Sequence, residues 1–344
     1  MENIKILNQT IKDSFSEIWK HLEDENVTDF DFNCENIWLS TVSSLPKKID
    51  EPEIDTAYME NFANYIGRME GSNFNEVENT VFAASETLRI TCIHKSQSKS
   101  GLTVCIRKFG EQPRLTADNA VEEGYCDKKS LNMLRNLVKA RFSFFIGGLP
   151  GNGKTETIKL LSSFIPEYEK VITIEDVPEI NYQVIHPGAN STELKVVNGN
   201  YKACLEKMLR MNARWTLFGE VRGSEVQFLL ECMSNGIPFM TTGHVGDARN
   251  VPDRILNMLN DRRDSERIVN QLHTDIGVSL LIEKKVDGDG NVYRYLDQLC
   301  FYDRNEDSNV KALVIDKGKL DEKQLPVYLR KKIEKIIGGD LFSE

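Results

Sequence analysis

The sequence has no pair of cysteines at the C-x-x-C spacing that zinc sites and redox-active dithiols use. An odd number of scattered cysteines in a chain of 344 residues also indicates no disulfide framework. We therefore expect reduced, buried thiols in a cytoplasmic protein rather than a zinc site. The seven cysteines are Cys34, Cys92, Cys105, Cys126, Cys204, Cys232 and Cys300.

Long apolar runs and a surplus of basic residues are also missing. No stretch approaches the roughly 20 apolar residues that span a bilayer, and the opening MENIKILNQT lacks the apolar core of a signal peptide. Lys and Arg number 43 against 53 Asp and Glu, which gives a formal net charge of -10. Because binding to a nucleic-acid backbone needs clustered Lys and Arg, we expect no stable direct nucleic-acid binding.

The length and the apolar pattern predict two domains, both of which mix helices and strands. Apolar residues from Ile4 to Leu22 recur every three or four positions, which predicts one helix of about six turns packed on a sheet. The runs LRITCIH and LTVCIRKF predict a hairpin near residues 88–109, and a helix is predicted near residues 117–123. We place the domain boundary at residue 125, so that residues 1–125 form an N-terminal α+β domain.

In residues 126–344, short apolar runs alternate with helical patterns, which is typical of a mainly parallel sheet covered by helices. YKACLEKMLRM and SEVQFLLECMS predict two of the helices. A final pair of strands, VSLLIEKK and VYRYLDQLCFYD, flanks the turn VDGDGN. The other predicted strands are FSFFIG, VITIED, LKVVN, WTLFGE and FMTTGH.

The segment GLPGNGKT, residues 148–155, has the G-x-x-x-x-G-K-T form of a phosphate-binding loop and directly follows a predicted strand. Glycines in such a loop let backbone N–H groups turn towards phosphate oxygens at the start of a helix. Lys154 would reach the outer phosphates, and the Thr155 hydroxyl would bind magnesium. The alternative is a chance match in an ordinary strand-to-helix turn. We predict nucleotide binding by Gly148, Leu149, Pro150, Gly151, Asn152, Gly153, Lys154, Thr155 and Glu156.

Three further predicted strands end in residues that could act on a nucleotide phosphate. VITIEDVPE supplies Glu175 and Glu179, WTLFGE supplies Glu220 with Arg222 two residues on, and FMTTGH ends at His244. The carboxyl ends of parallel strands face the ligand crevice, where carboxylates can hold magnesium or orient water. His244 could sense the terminal phosphate. Taken singly, these residues could equally form a solvated acidic loop, a surface glutamate and a structural histidine.

The order and spacing of these motifs resemble those of the secretion ATPase superfamily. Its members power type II and type IV secretion, conjugative DNA transfer, and pilus or archaellum assembly. GLPGNGKT is similar to the family's Walker A motif, VITIEDVPE to its Asp box, LFGEVRG to its Walker B motif and TTGHV to its His box. LRM, LRITCIH and VCIRKF also match, so the resemblance covers residues from about 80 to 305. It implies that the second domain is a RecA-like nucleotide-binding domain.

The resemblance further implies an ATPase that uses ATP and Mg2+ and works as a homo-oligomeric ring, expected to be a hexamer. Lys154 and Thr155 would hold phosphate and magnesium, Glu175 and Glu220 would support the metal, and Glu179 would be the general base. His244 would belong to the catalytic set. Four arginines complete it: Arg107 and Arg114 to reach the terminal phosphate, and Arg210 and Arg222 to couple phosphate state to the subunit interface.

Some positions depart from the family pattern. Ala213 and Arg214 stand where the family usually has Pro-Asp, and Val245 stands where it usually has Ala. The zinc insertion of assembly motors and the C-terminal signature of retraction motors are absent, so the chain most resembles the compact conjugation and tight-adherence branch. Its partners would be inner-membrane secretion or pilus apparatus proteins, which would hold it peripherally at the cytoplasmic face.

Two alternatives stay open at this point. The first is a RecA-like nucleic-acid-dependent ATPase or helicase. The second is a docking module that binds ATP without turning it over. The sequence names neither the cargo nor the membrane partner.

Overall fold

A computed structural model describes residues 2–85, 87–110, 112–197, 199–223, 225–259, 264–305 and 308–344. The chain divides into two compact units, Met1–Glu111 with Val286–Val292, and Gln112–Lys285 with Tyr293–Glu344. The predicted boundary at residue 125 lies further along the chain than this division. The difference has a packing reason, because Leu115, Ala120 and Tyr125 are buried in a hydrophobic core of the second unit.

Over its described residues, the first unit contains an antiparallel sheet and three helices. Its elements are α1 (Glu2–Ser14), α2 (Ser16–Leu22), β1 (Val27–Asn33), β2 (Asn36–Thr41), β3 (Lys47–Ile49), α3 (Thr56–Met69), β4 (Thr80–Ala84), β5 (Leu88–Ile93) and β6 (Thr103–Lys108). The strand order is β3-β2-β1-β6-β5-β4, and neighbouring strands pair in antiparallel fashion. Helices and strands share one core, in which Ile11, Phe62 and Ile90 are fully buried.

The N-terminal apolar stripe forms two helices instead of the predicted single one. The break is at Phe15, whose backbone has φ -134° and ψ 54°, outside the helical region. The Phe15 ring packs edge-on against Phe62 with ring centroids 5.0 Å apart, so the stripe still faces the core across the break. The hairpin predicted near residues 88–109 is formed by β5 and β6.

In the part of the chain that the structure describes, the second unit contains a nine-stranded sheet with helices on both faces. Its helices are α4 (Lys128–Lys139), α5 (Lys154–Ser162), α6 (Tyr182–Ile185), α7 (Tyr201–Leu209), α8 (Val226–Ser234), α9 (Val251–Met258), α10 (Ser265–Asp275) and α11 (Val327–Ile337). Its strands are β7 (Phe144–Gly147), β8 (Val171–Glu175), β9 (Ser191–Lys195), β10 (Trp215–Glu220), β11 (Phe239–Gly243), β12 (Val278–Val286), β13 (Val292–Asn305), β14 (Ser308–Asp316) and β15 (Lys319–Leu320).

The strand order of this sheet places the glycine-loop strand near the middle. The order is β15-β14-β13-β12-β7-β11-β10-β8-β9, and the six strands from β12 to β9 pair in parallel. Along β7, Phe144 and Ile146 enter one core and Phe145 enters the core on the opposite face, as successive residues of a strand covered on both faces must. The predicted α/β fold with a mainly parallel sheet is confirmed.

Several local predictions differ from the structure. The helix predicted near residues 117–123 is a run of turns, because the chain reverses at Gly124 and the Tyr125 N–H donates back to the Ala120 carbonyl at 2.9 Å. The strand predicted at LKVVN begins earlier, at Ser191. All seven cysteines are free thiols, but Cys105 is exposed, and Cys34 and Cys126 are only half-buried. Among the described residues, no helix is both long enough and apolar enough to cross a membrane.

Candidate nucleotide-binding site

The four sequence motifs meet at one edge of the second unit's sheet. In the parallel register Gly147 of β7 lies beside Gly243 of β11, and Glu220 of β10 lies beside Thr242 of β11. Glu175 ends β8, the next strand across. The glycine loop, the two acidic segments and the histidine segment therefore leave neighbouring strands at their carboxyl ends, where ligands bind in sheets of this kind.

The phosphate loop, residues 148–155, has backbone conformations that favour glycine. Gly148 has φ +146°, and a Cβ there would lie 2.6 Å from the Ile282 carbonyl oxygen of β12. Gly153 has φ +90° and caps α5, which starts at Lys154. The first N–H groups of a helix have no partner within the helix and favour an anion. The loop and the start of α5 therefore fit a phosphate group.

Lys154 and His244 both hold the first glycine of the loop. The Lys154 Nζ donates to the carbonyls of Gly148 and Leu149 at 3.0 and 3.1 Å, and Lys154 is largely buried. The His244 Nδ1 lies 3.1 Å from the same Gly148 carbonyl oxygen. Leu149 and Pro150 are exposed. Lys154 thus lies along the inside of the loop.

His244 also connects the loop to the acidic end of β10. Its Nε2 lies 2.8 Å from Oε1 of Glu220. The other oxygen of Glu220, Oε2, accepts two hydrogen bonds from Arg222, at 2.9 Å from Nε and 2.6 Å from Nη2. Gly148, His244, Glu220 and Arg222 therefore form a continuous polar chain across three strand ends.

The two glutamates of the Asp box occupy different environments. Glu179 reaches the phosphate loop, where its Oε2 accepts a hydrogen bond from the Thr155 hydroxyl at 3.2 Å. Glu175 is buried beside Gly219 and accepts hydrogen bonds from the N–H groups of Glu179 and Ile180 at 3.1 and 3.2 Å. Burial raises the pKa of the Glu175 carboxyl to about 8, and the charge of Glu179 also raises it.

A pH dependence of stability follows from the buried carboxyl of Glu175. Its pKa in the folded chain, about 8, lies above its ordinary value of 4.5, so the folded chain holds a proton that the unfolded chain releases between these values. The free energy of unfolding should therefore fall as pH rises from about 4.5 to 8, by a few kcal/mol at most. Glu175→Gln should lack this decrease, because glutamine stays neutral.

Urea unfolding of the nucleotide-free protein at pH 5, 6.5 and 8 measures this difference. Glu231→Gln, which changes an exposed glutamate of α8, is the matched control and should follow the wild-type profile. Parallel pH profiles for the wild type and Glu175→Gln would contradict the burial argument.

Four further predicted site residues, Glu156, Arg114, Arg107 and Arg210, have other surroundings. Glu156 is turned to structural contacts: its Oε2 accepts the Arg114 N–H at 2.7 Å, and its Oε1 pairs with Lys159 at 3.2 Å. Arg114 therefore lies next to the start of α5. Arg107 belongs to the first unit, where its Nε donates to Asp29 at 2.7 Å. Arg210 is exposed at the end of α7.

Two contacts around the loop were not predicted. Asn152, one of the residues predicted to bind nucleotide, has a fully buried side chain that donates from Nδ2 to the Ile282 carbonyl of β12 at 2.8 Å. Arg294 of β13 donates from Nε to the Gly151 carbonyl at 2.8 Å. No local sequence signal marks Arg294, because it lies on a strand that carries none of the four motifs. Only the pairing of strands brings it to the loop.

The comparison with known families agrees with the geometry of the site. The sequence model of the type II/IV secretion system protein family matches residues 85–284, more than half of the 344-residue chain. The chain belongs to this family. The matched residues include the phosphate loop, the Asp box, the end of β10 and His244, so the predicted membership of the secretion ATPase superfamily is confirmed.

Two curated proteins are similar to this chain in sequence. An uncharacterized protein of Bacillus anthracis is 25% identical over 294 residues, which cover 80% of this chain and 65% of that protein. The type IV secretion system protein VirB11 of Bartonella quintana is 28% identical over 174 residues, which cover 49% of this chain and 45% of that protein. The chain therefore spans less than two thirds of the length of these relatives.

A solved structure shares the fold of this family member. The ATPase DotB of Legionella pneumophila superimposes with a TM-score of 0.60 at 15% identity, covering 94% of this chain and 85% of DotB. At this identity the likeness concerns the fold.

Proposed function

We propose that this member of the type II/IV secretion system protein family is a magnesium-dependent ATPase. The observation that carries the proposal is the phosphate loop on β7, with carboxylates of the adjacent Asp box and of β10 at the same edge of the sheet. This arrangement supplies N–H donors and an ammonium for phosphates, and carboxylates for a metal and an attacking water. DotB, which shares the fold, is named an ATPase, and this supports the proposal.

The proposed roles follow from the position of each group. Lys154 would bind the outer phosphates, and the Thr155 hydroxyl, with Glu175 and Glu220, would hold magnesium and its water shell. Oxygen donors of this kind suit magnesium, although among the described residues no three His, Cys, Asp or Glu side chains cluster as ligands. Magnesium, when bound, would neutralise charge on the outer phosphates. Glu179, adjacent to Thr155, would accept the proton of the attacking water.

We propose further that copies of the chain form a ring, expected to be a hexamer, that works at the cytoplasmic face of a membrane. The ring would bind inner-membrane proteins of a type IV secretion, conjugation or pilus-type apparatus and pass on the motion produced by ATP turnover. The name of VirB11, a type IV secretion system protein, supports this assignment. Arg107, Arg114, Arg210 and Arg222 are the candidates to complete the site or couple it to a neighbouring copy.

Two measurements test this function together. Light scattering with magnesium and a non-hydrolysable ATP analogue should show a species of about six subunits, because the site would be completed by neighbouring copies. Phosphate release should require magnesium and should not depend on DNA. A protein that stays monomeric at all concentrations and with every nucleotide would contradict the ring.

The same measurements separate the two alternative functions. Phosphate release that DNA stimulates, with a steep dependence on salt, would favour a nucleic-acid-dependent ATPase or helicase. The formal net charge of -10 speaks against this alternative. Tight ATP binding without phosphate release would favour a docking module.

A further inference from the structure

Arg294 reaches the phosphate loop from β13. Its Nε donates to the Gly151 carbonyl at 2.8 Å. Its Cδ lies 3.2 Å from the position that a Cβ on Gly153 would occupy. One side chain therefore bonds to Gly151 and lies close to Gly153, and it comes from a strand outside the four motifs.

The peptide that Arg294 holds lies at a turn of the loop that favours glycine. Gly151 has φ +77°, in the left-handed region, and a Cβ there would find no atom within 4 Å. Glycine at such a position gains conformational freedom when it is released. A hydrogen bond from a guanidinium to the carbonyl restricts that freedom and is stronger than a neutral one.

Holding this carbonyl also sets the direction of the next N–H. In a trans peptide the C=O and the following N–H point in opposite directions. The Gly151 carbonyl points to Arg294, while the Asn152 N–H points inward and donates to the Leu149 carbonyl at 3.2 Å. The Asn152 side chain is held separately, by the Ile282 carbonyl of β12. The middle of the loop is thus held from two neighbouring strands.

Arg294 lies near a second guanidinium group, that of Arg114, and near the carboxylate of Glu156. Burial lowers the pKa of the Arg294 guanidinium, and the charge of Arg114 lowers it further while Glu156 opposes this. Arg114 therefore lies close enough for its charge to act on Arg294, at the start of α5. Two guanidinium groups beside a helix N-terminus favour a negatively charged ligand there.

We propose that Arg294 is a positioning residue that holds the phosphate loop in its ligand-binding shape through the Gly151 carbonyl. This inference rests on the proposed function only to the extent that the loop binds nucleotide phosphates. It assigns Arg294 no contact with the base or the ribose and no part in the chemical step.

Binding of two ligands to Arg294→Ala tests the proposal. The ligands are ADP and inorganic pyrophosphate, which has neither base nor ribose. Because the loop itself would be loosened, both ligands should bind about tenfold more weakly than to the wild type. The KM for ATP should rise by a similar factor, with kcat changed much less. Arg294→Lys keeps a cationic donor on a shorter stem and should recover part of the affinity.

The controls make the result specific. Arg254→Ala removes an exposed arginine of α9 and should leave both affinities unchanged, and thermal unfolding shows whether each variant is folded. Unchanged binding by Arg294→Ala overturns the proposal, and so does a loss for ADP alone, which would indicate a contact with the nucleoside. If Arg294→Ala does not fold, Arg294→Lys replaces it in the test. Affinities of Arg294→Lys for both ligands equal to those of the wild type would then overturn the proposal.

A different result would overturn the proposed function. A wild-type protein that binds neither ADP nor pyrophosphate would overturn both ideas. A wild-type protein that binds both ligands but releases no phosphate would overturn only the ATPase assignment, and the ligand series would still decide the role of Arg294.

Discussion

Lys154→Ala is expected to abolish nucleotide binding, with affinities for ATP and ADP reduced by about a hundredfold or more. The Lys154 ammonium lies along the inside of the phosphate loop and donates to the carbonyls of Gly148 and Leu149. Neutral carbonyl oxygens are weaker partners for an ammonium than phosphate oxygens are. We therefore expect a bound nucleotide to replace them, an exchange that alanine cannot make. Titration with a fluorescent ADP measures the loss.

The fold should survive this substitution. Lys154 lies outside the hydrophobic cores, and the Gly148 carbonyl keeps its contact with His244. Lys139→Ala, at the exposed end of α4, is the matched control and should bind nucleotide as the wild type does. Normal binding by a folded Lys154→Ala would show that the phosphate-loop assignment is wrong.

Glu179→Gln should bind ATP and magnesium about as tightly as the wild type but lose on the order of a hundredfold or more in turnover. The Glu179 carboxylate accepts a hydrogen bond from Thr155 at 3.2 Å, and the amide oxygen of glutamine can still accept it. The amide cannot take up the proton of the attacking water at neutral pH. Chemistry should therefore fail while binding persists. ATP affinity and steady-state phosphate release, measured across a magnesium titration, test this result.

Glu175→Gln provides the comparison within the same motif. Glu175 is buried and bonded to the N–H groups of Glu179 and Ile180, and glutamine can keep an acceptor there. We expect Glu175 to support the water shell of the metal. Glu175→Gln should therefore weaken the dependence of phosphate release on magnesium instead. Near-normal turnover in Glu179→Gln would move the base role to Glu175 or Glu220.

The local motifs were the most predictable part of the site. A phosphate loop is eight consecutive residues. Its glycines act through the backbone and its lysine and threonine through their side chains, and all of them are adjacent in the sequence. The strands before Gly148, Glu175, Glu220 and His244 were predictable for a related reason. Buried parallel strands are short apolar runs, and the change to polar residues marks where each strand ends.

Contacts between distant segments could not be predicted in this way. Arg107 and Arg114 are both predicted site residues, and their contacts with Asp29 in the first unit and with Glu156 at the start of α5 are not marked in the sequence. The sequence also did not show that Glu175 and Glu179 lie in different environments, because the burial of Glu175 depends on Gly219 of the neighbouring strand β10. The break at Phe15 was missed because the apolar spacing continues unchanged across it.

The sequence by itself determined the α/β class of the second unit, the family and the phosphate loop with its three companion segments. Each of these depends on residues that are adjacent in the chain or on a periodicity of a few residues. The tertiary structure alone decided that His244 joins Gly148 to Glu220, that Glu175 is buried, and that Arg294 holds Gly151. These contacts arise from the order of strands in the sheet, which brings together side chains that are far apart in the sequence.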